Sequence, residues 1–515
     1  MNEKQENLLR IKNSLLQGGG EKAIERQHAA GKHTARERLA MLFDEGSFTE
    51  TGMFVRHRGT SFGMAEKEAA ADGVITGRGM INGRLVYAAS QDFTVLGGSL
   101  GEMHGLKITA MQEAALRTGT PFICINDSGG ARIQEGVASL ESYGRVFYNN
   151  ALASGAIPQI SVVMGPCAGG AAYSPALTDF VFMVDGTAQM FITGPQVIKS
   201  VTGEDIDSET LGGAAANNSV SGNAHFFAAD EQSCIWQIQR LLSFLPGSYR
   251  DQPPAYACED DVCRADEFLN NWIPESANKP YDMCAIIRSV ADDEDFLEYQ
   301  EHFAKNILCG FIRIGGKSVG VIANQPMMMA GCLDINASDK ASRFVRTCDS
   351  FNVPLLTLID VPGYLPGTQQ EFGGIIRHGA KLLYAYSEAI VPKVTVITRK
   401  AYGGAYVSMC SKSLGADMVL AWPSAEIAVM GADGAANIIF SSEIKNSENP
   451  DQKRAEKIAE YNEAIVNPYI AASMGYVDDI IMPCETRRRV YEALSALEGK
   501  KTAPIPAKKH GNMPL

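Results

Sequence analysis

Arg399-Lys400-Ala401-Tyr402-Gly403-Gly404-Ala405-Tyr406-Val407-Ser408-Met409 follows an apolar run, Val394 to Ile397, and precedes a segment with helical character. A strand that breaks at paired glycines and enters a helix leaves backbone N–H groups aimed at a common point. A residue without Cβ permits close approach there, and the first helical amides have no internal partner. Oxyanion holes are built this way. A single copy reads first as a device for packing a helix tightly on a sheet. A second copy upstream, Pro166-Cys167-Ala168-Gly169-Gly170-Ala171-Ala172-Tyr173-Ser174, changes that reading.

The two copies belong to a longer repeat. Pro354 to Asp360 matches Pro121 to Asp127, Pro392 to Ile397 matches Pro158 to Val163, and Ala425 to Gly431 matches Ala188 to Gly194, all about 235 residues apart. A period that long means duplicated domains rather than a solenoid. Within each half, short apolar strands alternate with helical patterns, as in β-α-β units. Gly73 to Gly79 and Arg84 to Ser90 read as strands around the turn Asn82-Gly83, and Gly101 to Thr118 as an amphipathic helix.

The chain has 515 residues, 45% hydrophobic and 20% charged, so two large units are expected. A net charge of -13 argues against a nucleic-acid partner. The start, Met1 to Asn13, lacks the apolar core of a secretory signal, and no stretch approaches a membrane span. Eleven cysteines lie scattered with no C-x-x-C, which predicts reduced, mostly buried thiols in a cytoplasmic protein. His28 and His33 have no carboxylate or thiol cluster to complete a metal site, and none is expected. Leu8, Leu9, Ile11, Leu15 and Leu16 give a first helix ended by Gly18-Gly19-Gly20. A second helical pattern, Ala23 to Phe43, carries a capping box at Thr34 and Glu37. The polar stretch from Pro246 to Tyr281 reads as the linker, and the tail from Thr502, with Pro504, Pro506, Lys508 and Lys509, as loosely held.

The donors at Gly169 to Ala171 and at Gly403 to Ala405 suit a carbonyl oxygen that gains charge, so enolate chemistry fits better than phosphate binding. No Gly-Lys-Ser/Thr closes either loop. Ser128 and Ser174 lie near glycine pairs, but neither is framed as Gly-x-Ser-x-Gly. His104 and His378 are possible bases, and Asp127 and Asp360 end their strands. Arg132 and Arg377 read either as anion contacts or as structural ion pairs.

Ser128-Gly-Gly-Ala-Arg-Ile-Gln-Glu-Gly, Gly165-Pro-Cys-Ala-Gly-Gly-Ala-Ala-Tyr-Ser-Pro-Ala, Asp360-Val-Pro-Gly-Tyr-Leu-Pro-Gly, Ile375-Ile-Arg-His-Gly-Ala-Lys-Leu-Leu and Arg399-Lys-Ala-Tyr-Gly-Gly-Ala-Tyr together resemble one family. It is the carboxyltransferase subunit of biotin-dependent acyl-CoA carboxylases, of the propionyl-CoA carboxylase β type and the methylmalonyl-CoA decarboxylase α type. Gln27-His-Ala-Ala-Gly-Lys-His-Thr-Ala-Arg-Glu-Arg-Leu is similar to that family too.

The resemblance implies an α/β chain of tandem crotonase-like (ClpP/crotonase) ββα-superhelix domains. An acyl-CoA side would span 1–250 and a biotin side 281–515, with 251–280 between them. It implies a homo-hexamer whose active site forms between the N-half of one subunit and the C-half of another. Carboxybiotin would release CO2, the biotin enolate would take the acyl-CoA α-proton, and the thioester enolate would attack CO2, with no side-chain base. The implied catalytic donors are Gly169, Gly170 and Ala171 for the thioester and Gly404 and Ala405 for the biotin ureido oxygen. The implied biotin contacts are Gly403, Gly404, Ala405, Tyr406 and Val407. The implied acyl-CoA contacts are Ser128, Gly129, Gly130, Ala131, Arg132, Gly169 and Gly170. Val407 stands where the propionyl type commonly has an acidic residue, a position associated with acyl-chain preference. Without a Met-Lys-Met motif or a nucleotide loop, this chain is expected to depend on a biotin carboxylase and biotin carrier subunit; the alternative is the carboxyltransferase subunit of a sodium-pumping methylmalonyl-CoA decarboxylase, which runs the transfer from malonyl-type CoA to biotin with membrane decarboxylase subunits as partners. A crotonase-type hydratase would instead need a glutamate base, and an assembly subunit without activity would show no transfer.

Overall fold

A computed structural model describes residues 1–500 and 508–514. The chain divides into two compact units, Met1–Gln252 and Pro253–Leu515. Residues 253–280, read from sequence as a linker, lie within the second unit, where Leu269 is buried in the core and Arg264 pairs with Asp260 at 2.8 Å. Of the tail, Thr502 to Ala507 fall outside the described residues, while Lys508 contacts Glu388 at 2.6 Å.

The first unit holds one eight-stranded sheet. Its strands are β1 (Thr49–Thr51), β2 (Val74–Ile81), β3 (Arg84–Gln91), β4 (Phe122–Ser128), β5 (Gln159–Ala168), β6 (Phe180–Val184), β7 (Gln189–Phe191) and β8 (Phe226–Ala228). The order is β1-β2-β3-β4-β5-β6-β8. β1 to β3 pair antiparallel and β3 onward parallel. Every residue of β4 is buried, the mark of a parallel strand covered on both faces. Asn82 and Gly83, at φ of 50° and 73°, form the tight β2–β3 turn that only such residues adopt cheaply.

The second unit repeats the plan with β9 (Leu297–Tyr299), β10 (Ile307–Ile314), β11 (Lys317–Asn324), β12 (Leu355–Val361), β13 (Lys393–Tyr402), β14 (Met418–Ala421), β15 (Glu426–Ala428) and β16 (Asp479–Ile480). Its order is β16-β14-β13-β12-β11-β10-β9. Trp422 is fully buried in its core, with the indole N–H donating to Thr486 at 3.0 Å.

The long strand of each unit changes partners along its length. β5 pairs with β6 from Ile160 to Val163, then with β7 from Pro166 to Ala168. β13 pairs with β14 from Val394 to Ile397, then with β15 from Lys400 to Tyr402. Each strand is thereby held up to the residue before its glycine pair.

The helical N-terminal segment differs from expectation in one respect. The pattern over Ala23 to Phe43 forms two helices, Glu21–Ala29 and Ala35–Leu42, because Gly31 turns the chain at φ 73°. Thr34 and Glu37 form the capping box of the second. The first helix, Glu3–Leu16, buries no residue. Among the described residues no helix is long and apolar enough to cross a membrane.

Candidate active site: two glycine turns

β5 runs straight into a short 3-10 turn, Gly169–Ala172, and β13 into a helical turn, Gly403–Ser408. Gly169 and Gly403 take φ of 62° and 58°, a conformation that costs glycine nothing and reverses the chain where strand becomes helix. The next glycine of each pair is exposed, and the alanine after it is buried. A Cβ built on Gly170 or Gly404 meets nothing within 4 Å, so open space lies in front of each turn. Amides in a first helical turn have no intrahelical acceptor. Each turn therefore offers a small N–H cluster to a ligand oxygen.

Beside the first turn lies Ser128 to Arg132. Ser128 pairs with Cys167 across β4 and β5, and Gly129 donates to the Gly97 carbonyl at 2.9 Å. Leu100 bridges Ala131, and the Leu100 N–H donates to Gly130 at 2.9 Å. Ser128 is fully buried, with its Oγ accepting the Gly130 N–H at 3.1 Å, so its hydroxyl orders the turn. Ser174 donates to Asn150 Oδ1 at 3.0 Å. Neither serine has a histidine partner in the geometry of a nucleophile–base pair.

Arg132 is 1% exposed. Its guanidinium is spent on Asp72 at 2.6 Å, Glu135 at 2.8 Å and the Ser99 carbonyl at 2.8 Å. Of its two readings from sequence, the buried ion pair describes this arrangement. Arg377 is exposed.

The candidate bases and strand-end carboxylates have polar partners as well. His104 is fully buried between the Asp72 carbonyl, at 2.9 Å from Nδ1, and Gln91. Burial, with Arg132 and Lys107 adding to it, pushes its pKa well below the usual histidine value and keeps it neutral. His378 contacts Asp339 at 2.7 Å. Asp127 takes Arg38 at 2.8 Å, Gln27 at 2.9 Å and Lys32 at 3.0 Å. Asp360 takes Arg399 at 2.9 Å and the Lys400 N–H at 3.1 Å. His28 and His33 pair with Glu37 and Glu231, both at 3.0 Å.

Around the second turn, Tyr402 shares a short hydrogen bond with Glu426, which ties the end of β13 to β15. Tyr406 is half-buried and Val407 is 38% exposed beside the open face. Two residues that sequence reasoning did not single out support this turn. Tyr364, inside the Asp360 to Gly367 motif, donates to Ser408 at 2.8 Å, and Ser408 donates to the Gly404 carbonyl at 2.9 Å. The motif pointed to the region, but the role of its tyrosine depends on a contact 44 residues away.

Two crotonase-like units, each ending its long strand in a glycine-paired turn with open space in front, define the carboxyltransferase class of enzyme. Within that class the chain belongs to the carboxyl transferase domain family, whose model matches residues 26–513. It is 58% identical over 510 residues to the methylmalonyl-CoA decarboxylase subunit alpha of Propionigenium modestum, covering 99% of this chain and 98% of that one. It is 57% identical to the propionyl-CoA carboxylase beta chain of Cereibacter sphaeroides, covering 97% of each. A solved transcarboxylase 12S hexamer with methylmalonyl-coenzyme A and methylmalonic acid bound superposes with a TM-score of 0.98. Its identity is 55%, covering 100% of this chain and 99% of that one.

Proposed function

We propose that this chain moves a carboxyl group between biotin and the α-carbon of a short-chain acyl-CoA, with propionyl-/methylmalonyl-CoA or acetyl-/malonyl-CoA as the pair. The observation that carries this reading is the matched turns, Gly169–Ala171 and Gly403–Ala405, each open in front. The first turn, with Ser128 to Arg132 beside it, would receive the thioester oxygen. The second, with Tyr406 and Val407, would receive the biotin ureido oxygen, and its open face at Gly404 fits a planar carbonyl approaching the backbone. Arg132 acts here by holding its loop rather than by touching ligand. Biotin, borne on a separate carrier, supplies or accepts the carboxyl group.

The chain's own part is to hold both oxygens by N–H donors where negative charge develops, each donor worth about 2.7 to 4 kcal/mol of barrier. Val407, 38% exposed beside the second turn, departs from the acidic residue common in the propionyl type, so both acyl-CoA pairs stay in the proposal. We read the protein as a homo-hexamer in the cytoplasm, served by a biotin carboxylase and carrier. The eleven free cysteines are consistent with that compartment.

A second reading has specific support, since a decarboxylase alpha subunit matches the chain as well as a carboxylase beta chain does. On that reading the same site takes the carboxyl group from methylmalonyl-CoA to biotin, with membrane decarboxylase subunits as partners. Exchange between free biotin and a panel of malonyl- and methylmalonyl-CoA tests the chemistry common to both. No biotin-dependent exchange with any of them sinks it, and the partner subunit that co-purifies decides direction.

A further inference from the structure

We propose that Tyr364 and Ser408 form a hydroxyl relay that fixes and polarises the peptide between Gly404 and Ala405, making them positioning residues for the biotin-side hole alone. The proposal rests on the carboxyltransferase reading above.

The Gly404 carbonyl and the Ala405 N–H are two ends of one planar peptide unit. Whatever grips the oxygen sets where the hydrogen points. Ser408 Oγ donates to that oxygen at 2.9 Å, and Tyr364 donates its phenol to Ser408 Oγ at 2.8 Å. A serine bonded back to the carbonyl four residues earlier is common in helices by itself. Here the same hydroxyl oxygen also accepts the hydrogen bond from Tyr364, so its own hydrogen is committed to Gly404 rather than free to rotate. Hydrogen bonds in such a chain strengthen one another, and pull on the carbonyl makes the attached N–H a better donor.

The relay is built in. Ser408 is 1% exposed. The tyrosine ring lies against Gly379, where a Cβ would come within 2.9 Å of the phenol oxygen. Burial raises the Tyr364 pKa, which keeps the phenol a donor.

The first unit lacks the device. Ala131 stands at the position of Tyr364, each bridging the matching leucine, Leu100 or Leu333. Ser174 stands at the position of Ser408, and its hydroxyl goes to Asn150 at 3.0 Å instead. Two turns with matching glycine pairs thus differ in what steadies them.

The test uses the full-length protein, free biotin and methylmalonyl-CoA. Tyr364→Phe keeps the ring and removes the donor. It should lower kcat for biotin-dependent transfer about 5- to 10-fold, with the KM for methylmalonyl-CoA and the oligomeric state unchanged. Ser408→Ala should lose at least as much. The double variant should lose no more than Ser408→Ala, because the tyrosine acts through the serine. A Tyr364→Phe kcat within twofold of wild type overturns the relay, and so does a double variant whose loss is the product of the single losses. A change confined to KM for the acyl-CoA also overturns it. If Ser408→Ala does not fold, the Tyr364→Phe result decides alone. Wild-type protein without biotin-dependent transfer removes the carboxyltransferase reading, and the relay with it.

Discussion

Arg38 donates to Asp127 at 2.8 Å with both side chains fully buried, although the two lie 89 residues apart in the chain. The pair explains why Gly165 is glycine. A Cβ there would fall 2.0 Å from Asp127 Oδ1. In the second unit the position matching Gly165 is Arg399, which reaches Asp360 from the strand itself at 2.9 Å. Both units therefore bury an arginine–aspartate pair just before the donor turn, one supplied from the N-terminal helices and one from within the sheet. Asp127→Ala would leave the buried Lys32 ammonium without its carboxylate and Arg38 with Glu231, at 2.6 Å, as its remaining anionic partner. Breaking such a pair from one side costs about 3–5 kcal/mol. Chemical denaturation should show that loss in the transition of the first unit, and a variant within 1 kcal/mol of wild type would refute it.

Ala405→Pro removes one donor with little harm to the helix, since a first-turn N–H has no intrahelical partner to lose. The expected loss is about 10²- to 10³-fold in transfer rate, with acyl-CoA binding retained. Initial rates and calorimetric titration of the acyl-CoA separate the two effects. Loss of acyl-CoA binding would show that the turn serves the other substrate.

Much of this was legible in the sequence because the deciding features are local or repeated. The glycine pairs, the Asn82-Gly83 turn and the all-apolar strands follow from backbone rules that act over a few residues. The duplication announced itself by four blocks in register. The roles of Asp127, His104 and Arg132 were not legible, since each depends on partners brought from distant parts of the chain: Arg38 and Lys32 for Asp127, Gln91 and Asp72 for His104, Asp72 for Arg132. The motif Gln27 to Leu39 carried a family signature without a visible purpose. Folded, Gln27, Lys32 and Arg38 all close on one carboxylate. The segment 251–280 was misleading for the opposite reason. Its polar composition suits a linker, yet Leu269 and the Arg264 pair anchor it.

Glu298, in β9, has its pKa raised to about 7 from 4.5 by burial, against the pull of Lys340. The folded state thus holds a proton that the unfolded state releases above pH 4.5. Stability from this group is fully present below about pH 4.5 and is lost as pH rises through about 7. Denaturation of wild type and Glu298→Gln at pH 5 and pH 7.5 tests the sign. The wild type should lose stability relative to the variant at the higher pH. An equal difference at both pH values would show that Glu298 titrates normally.

Gly98 and Gly170 separate folding from chemistry within one unit. Gly98 sits at φ 61°, and a Cβ there would fall 2.2 Å from the Asp127 carbonyl oxygen. Gly98→Ala must move backbone, at a cost of at least about 2 kcal/mol. Gly170 has nothing within 4 Å of its Cβ position, and its φ lies outside the left-handed region. Alanine there should leave the melting temperature unchanged or slightly higher, because it lowers the entropy of the unfolded chain. Its methyl group would stand where the substrate oxygen approaches the amides. Displacing that oxygen by an ångström costs about a hundredfold in rate. Gly404→Ala should behave in the same way in the second unit, where the space is equally open. Melting curves and transfer rates on the three variants give the contrast: Gly98→Ala loses stability first, the other two lose rate alone. Full activity in both Gly170→Ala and Gly404→Ala would mean that neither open face receives a reacting carbonyl.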